Sequence, residues 1–174
     1  MNPEEQNQWL VQHIPHRLRA CLAYSDVQKE LMPDTADQES QRNIEAYCVL
    51  IAAVEGRMAA TRWLIEFVGI CDRNGKPGRP TLRKTDVSIT SIHGGKLIDR
   101  SSPDATILAN VWKACSQASA HPTWDTNHPP IDGPTLDQAL RIIVKHLDAT
   151  IYSVTGRKLV AETLIPNPGL RLSR

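Results

Sequence analysis

The sequence predicts an all-α fold: a bundle of four principal helices with a small β-hairpin or loop insertion between the second and third. Three observations predict it. Apolar residues recur at three- and four-residue steps in four separate segments. The last two of those segments open on residues that start helices. Only the stretch from about Asp72 to Ile98 breaks the pattern, with glycine, proline and alternating residues.

In the first segment Leu10, Ile14, Leu18, Cys21 and Leu22 form the stripe. Pro15 interrupts it, and a kink or two short helices are expected because proline lacks an amide donor and its ring clashes with the preceding turn. His13 and His16 flank that proline and read as a surface pair. The second and longest segment runs from about Gln41 to Cys71, with Ile44, Tyr47, Ile51, Val54, Met58, Ile65 and Val68 on one stripe. Leu50, Leu64 and Phe67 widen it, which predicts burial on more than one side. Gly56, Ala59 and Ala60 are placed for close approach of another helix, which would offset the roughly 1 kcal/mol that glycine costs in a helix.

The insertion begins with "DRNGKPGRPTLRKT", a basic loop rich in glycine and proline. In "DVSITSIHGGKLID" Val87, Ile89 and Ile92 precede a Gly94-Gly95 turn, and Leu97 and Ile98 come after it, so a small hairpin is expected there. The third helix starts at Ser102-Pro103-Asp104, with a capping hydroxyl, a first-turn proline and an acid at the positive end of the helix dipole. Leu108, Val111, Trp112 and Cys115 are its apolar face. The fourth begins near Pro134 or Thr135, where Thr-Leu-Asp-Gln resembles a capping box. Leu136, Leu140, Ile143, Leu147, Ile151 and Val154 supply its stripe. Residues 1–165 read as one helical-bundle domain and 166–174 as a surface tail.

Composition excludes several functions. Lys and Arg total 20 against 19 for Asp and Glu, so a net charge of +1 provides no global attraction to nucleic acid or an anionic membrane. No apolar run approaches the roughly 20 residues that span a bilayer. The opening "MNPEEQNQWL" is acidic and amide-rich, unlike a secretory or mitochondrial leader, and a cytoplasmic location is expected. Cys21, Cys48, Cys71 and Cys115 form no CxxC pair and are expected buried and reduced.

Polar chemistry concentrates in "HPTWDTNHPPIDGP", between the third and fourth helices. His121, Trp124, Asp125 and His128 are the ligand-binding candidates, since loops between rigid elements carry contacts more often than cores do. Their spacing matches no zinc pattern, so neither a metal nor a cofactor is expected. The stretch otherwise reads as a stiff connection with Trp124 packed back on the bundle and Asp132 helping to start the last helix. Arg73, Lys76, Arg79, Arg83 and Lys84 form a basic run read first as solvated, and second as a contact for phosphates or an acidic partner.

"MAATRWLIEFVGI" (Met58 to Ile70) and "NVWKACSQASAHP" (Asn110 to Pro122) together resemble the HEPN-type helical bundles of bacterial defence, toxin and accessory proteins. The resemblance spans Ile44 to Tyr152, and a homodimer is expected beside it. Ribonucleases of that family carry an Arg-x4-6-His motif. Here "RIIVKH" supplies Arg141 and His146, with Ile142 where the family usually has a polar residue. The resemblance implies His146 as acid and base, Arg141 stabilising a pentavalent phosphate, and an RNA 2′-hydroxyl as nucleophile. Five helical residues separate the pair by roughly 140°, so such a site would be completed across a dimer.

The preferred expectation is a helical-bundle protein that binds a protein partner or small ligand and self-associates through helix faces, without a membrane. The alternative is a metal-independent HEPN-type endoribonuclease using Arg141 and His146, in which case the partner is RNA.

Overall fold

The computed structural model describes residues 1–31, 41–120 and 131–159. The fold is mostly helical, as the apolar spacing predicts. Helix α1 (Pro3–Gln8) carries a capping box, with Asn2 and Glu5 each bonding the other's backbone amide at 2.8 Å. It runs through a π-helical turn, Trp9–His13, into α2 (Ile14–Leu31). This is how the chain accommodates Pro15. The widened turn lets the Ile14 amide reach the Trp9 carbonyl five residues back, and Pro15 then sits in the first turn of α2. Leu10, Ile14, Leu18 and Cys21 are buried as expected, whereas Leu22 is exposed.

Helix α3 (Gln41–Phe67) packs on α2 and on α4 (Pro103–Ala120), and α5 (Gly133–Leu147) packs against both α3 and α4. The expected single stripe of α3 does not hold along its length. Ala60, Leu64, Ile65, Phe67 and Val68 are core, but Ile44, Tyr47 and Ile51 at the other end are exposed. Close packing at Gly56 is also absent: a side chain there would meet nothing within 4 Å, and of the three small residues only Ala60 is buried. The helix ends in a Schellman motif. Ile70 N–H donates to Ile65 O and Gly69 N–H to Glu66 O, with Gly69 at φ +87°.

The hairpin lies elsewhere than expected. Strands β1 (Cys71–Arg73) and β2 (Lys76–Gly78) pair antiparallel, joined by Asn74 and Gly75 at φ +55° and +78°. Two consecutive positive-φ residues make the tight turn that suits strand twist, and Asn-Gly is the dipeptide best able to adopt it. Around Gly94-Gly95 there is no strand. Ile89–Ser91 is a 3₁₀ turn, and it sends Ile89 and Ile92 into the core together with Ile98. Period-three spacing here imitates strand alternation.

Ser102 caps α4 as expected, its hydroxyl accepting from Ala105 N–H at 3.2 Å. Asp132, rather than Thr135, caps α5: its carboxylate accepts from Thr135 N–H at 2.8 Å. Leu136, Leu140, Ile143 and Leu147 are buried, and a second π-helical turn, Asp148–Tyr152, succeeds the helix. Ser153 N–H bonds Asp148 O across it. The extra residue in that turn rotates the chain beyond it by roughly 100° relative to a continuous α-helix. Tyr152 is thereby turned into the core, and Val154, expected in the stripe, is 53% exposed.

Three cysteines are buried, but Cys48 is exposed on α3. Burial pushes the Cys21 thiol up to about 11, with the Thr61 hydroxyl opposing it, and the Cys115 thiol up to about 12. Each folded value lies above the ordinary thiol value of 9.0, so the fold favours the neutral form. The resulting stability is complete below the unfolded pKa and is lost as pH rises through the folded one. The melting temperature should therefore fall above about pH 9, and the Cys21→Ala, Cys115→Ala double variant should fall less steeply. An identical slope would refute this origin.

Candidate functional site

Arg141 is exposed on α5. His146 is half-buried, and its Nε2 donates to the Lys96 carbonyl at 2.5 Å. That bond ties α5 to the chain after Gly95, and no hydrogen bond or ion pair between Arg141 and His146 is seen among the described residues. His121, Trp124, Asp125 and His128 lie outside the described residues. His13 and His16 are both on the surface, and the His13 ring packs 4.9 Å from Trp9.

The basic run divides into two kinds of residue. Arg79 Nη1 donates to Gly69 O at 2.7 Å, holding the end of α3 against the strap that leaves β2. Arg73 donates to the Thr81 hydroxyl at 2.5 Å and the Arg79 carbonyl at 3.3 Å. Both cations are held by acceptors within the chain, Arg79 partly buried and Arg73 exposed to solvent as expected. Lys76, Arg83 and Lys84 are exposed.

The strap from Arg79 to Val87 crosses an aromatic and charged floor. Trp9, Trp63 and Phe67 stack with centroids 5.2–5.8 Å apart, and the Arg17 guanidinium sits 5.3 Å from the Trp63 ring. Apolar spacing does not signal this grouping, although Trp63 and Phe67, four apart on one helix, are a legible part of it. Beside the stack, Glu66 Oε1 accepts from Arg62 Nε at 3.1 Å and from the Trp112 indole N–H at 2.8 Å. The Arg62 guanidinium lies 5.3 Å from the Trp112 ring.

A cavity of about 450 Å³ opens here between the end of α3, β1, α4 and the strap. A second, of about 290 Å³, lies along the aromatic stack, and Glu66 lines both. The Cys71 thiol in the larger cavity is raised by burial, which disfavours the thiolate a nucleophile requires. The cavity has the groups for binding: carboxylates, guanidinium groups and one indole. Among the described residues no group of three or more His, Cys, Asp or Glu is placed to hold a metal ion, and no helix is long and apolar enough to cross a membrane. No protein-family model matches the chain, and neither does any curated protein or solved structure.

Proposed function

We propose that this chain is a helical binding protein that self-associates through the N-terminal half of α3. One observation carries the reading. Ile44, Tyr47 and Ile51 are 48%, 41% and 56% exposed, and with the exposed Cys48 they fall within roughly 100° of helix surface. Leu64 and Ala60, in the core of the same helix, point roughly 170° away from the middle of this sector, whereas the buried Ile65 shares the azimuth of Tyr47, so exposure here reflects the absence of a neighbour over the N-terminal half among the described residues. Single exposed apolar residues need no explanation, but a contiguous group with an aromatic at its edge is the usual mark of an interaction surface. A second copy is the simplest occupant, because a two-fold axis sets the same apolar residues against themselves. The formal charge of +1 opposes this pairing little.

Sedimentation velocity across a wide concentration range should show a reversible dimer, and Ile51→Lys should remain monomeric with an unchanged helical spectrum. Cys48 provides an independent reading. It should be the first thiol to react with maleimide in dilute native protein, and its labelling should slow as wild-type concentration rises, but not in Ile51→Lys. A wild-type monomer at every concentration, with concentration-independent labelling, would sink the proposal.

A further inference from the structure

Charge is unevenly distributed along the chain. From Asp72 to Arg100 there are seven Lys and Arg against three Asp, a net of +4, so the rest of the chain carries −3 within the total of +1. Four cations of this basic region lie together. Arg73 and Lys76 are directly opposite each other across β1 and β2, a pairing of like charges that is unfavourable by itself. Arg73 reaches over Gly78 to the Arg79 carbonyl. Burial, and then the charge of nearby Arg100, lower the Arg79 guanidinium from its ordinary value, with Asp99 opposing them. Among the described residues none of the four forms an ion pair, and the hydrogen bonds to Thr81, Arg79 and Gly69 that hold Arg73 and Arg79 all end on uncharged oxygens. Of the two carboxylates next to them in the chain, Asp99 accepts from the Ser101 amide at 3.0 Å and its hydroxyl at 2.7 Å, and Asp72 is on the opposite face of β1 from Arg73.

We infer that this basic face, formed by Arg73, Lys76, Arg79 and Arg100, binds the phosphate backbone of duplex nucleic acid without regard to sequence. Uncompensated cations spread over an open surface favour an extended polyanion, and the fork of a guanidinium matches phosphate oxygens. Charge alone suffices for a backbone contact. An acidic protein segment gains most of its affinity from buried anchor residues, and the cavity beside Arg73 is lined largely by charged groups. A single strand needs an aromatic platform for its bases. Trp112, which borders that cavity, already has Arg62 over its ring. With a total charge of only +1 the attraction is local to this face. The face lies at the opposite end of α3 from Ile44, Tyr47 and Ile51, since Arg79 is fastened to Gly69 beyond the end of that helix, and it does not depend on self-association.

Fluorescence anisotropy of a short labelled DNA duplex, titrated with the full chain, tests this. Micromolar binding at low salt is expected, with a log–log salt slope of about −3 to −4 for four phosphate contacts. Lys76→Glu combined with Arg100→Glu should weaken binding by about tenfold or more and flatten the slope by about 2. Lys145→Glu combined with Lys158→Glu makes an equal change of net charge on exposed residues outside the basic region, and should leave the slope unchanged. A further readout needs no variant: the duplex should protect Lys76, but not Lys158, from acetylation in the wild-type protein. Binding that is absent at low salt or insensitive to salt, equal losses in the two double variants, or an unprotected Lys76 would each overturn the assignment. So would tighter binding of a single strand, of poly-glutamate or of phosphatidylserine vesicles than of the duplex.

Discussion

Tyr152→Ala is expected to destabilise the protein by about 3–5 kcal/mol, the range for removing a buried aromatic side chain. The residue is fully buried, and its hydroxyl donates to the Leu10 carbonyl at 2.7 Å. That bond joins the turn after α5 to the turn before α2, two places where the helical ladder is locally widened. Arg157 makes a second link between the same regions, bonding Asn7 at 2.6 Å. Tyr152→Phe keeps the ring and deletes the donor, leaving the Leu10 carbonyl one partner short. It should cost about 1–3 kcal/mol, so the pair of variants separates packing from hydrogen bonding. Urea denaturation measures both. If Tyr152→Ala lies within about 1 kcal/mol of wild type, Tyr152 does not hold the two ends together.

Gly95→Ala should cost about 1–3 kcal/mol, the usual penalty of overpacking. A Cβ at Gly95 would collide with the Ile89 carbonyl oxygen, and it would lie 2.7 Å from the Ile89 carbonyl carbon and 3.0 Å from Ile92 O. These are backbone atoms of the 3₁₀ turn, held in place by the buried Ile89 and Ile92 side chains, so they have little freedom to move. Gly56→Ala is the contrast. It lies in the interior of α3 with open space around it, so alanine should stabilise by roughly 0.5–1 kcal/mol through helix propensity alone. Thermal melts of the two variants should move in opposite directions. A Gly95→Ala protein as stable as wild type would mean that the 89–95 turn is not packed as described.

The sequence alone determined the elements whose causes are local. The helix positions arise from three- and four-residue apolar spacing, and the Ser102-Pro103-Asp104 start of α4 from side chains that satisfy free amides within one turn. The Asn74-Gly75 hairpin is equally local. The dipeptide that prefers the turn lies in plain view, and the stronger-looking apolar alternation around Gly94-Gly95 draws the expectation away from it. Those two glycines are visible as a break in the pattern, but their reason is tertiary. Gly95 is pressed on Ile89, and a Cβ at Gly94 would lie 2.7 Å from the Thr150 carbonyl.

Only the tertiary structure decided where one phase of a helix gives way to another. A repeat of 3.6 residues carries Leu147 forward to Val154. One extra residue in the turn between them instead buries Tyr152 and releases Val154, and no local propensity marks that insertion. In α3 the apolar residues of both halves read as one stripe, because spacing records periodicity but not which neighbours are present. α4 and α5 pack on the Ala60–Val68 half, while Ile44, Tyr47 and Ile51 face solvent. The cavity was hidden for the same reason. Trp112 is distant in the chain from Glu66 and Asp72, each is ordinary by itself, and they line one cavity only because the Schellman turn at Gly69 folds β1 back beside α4.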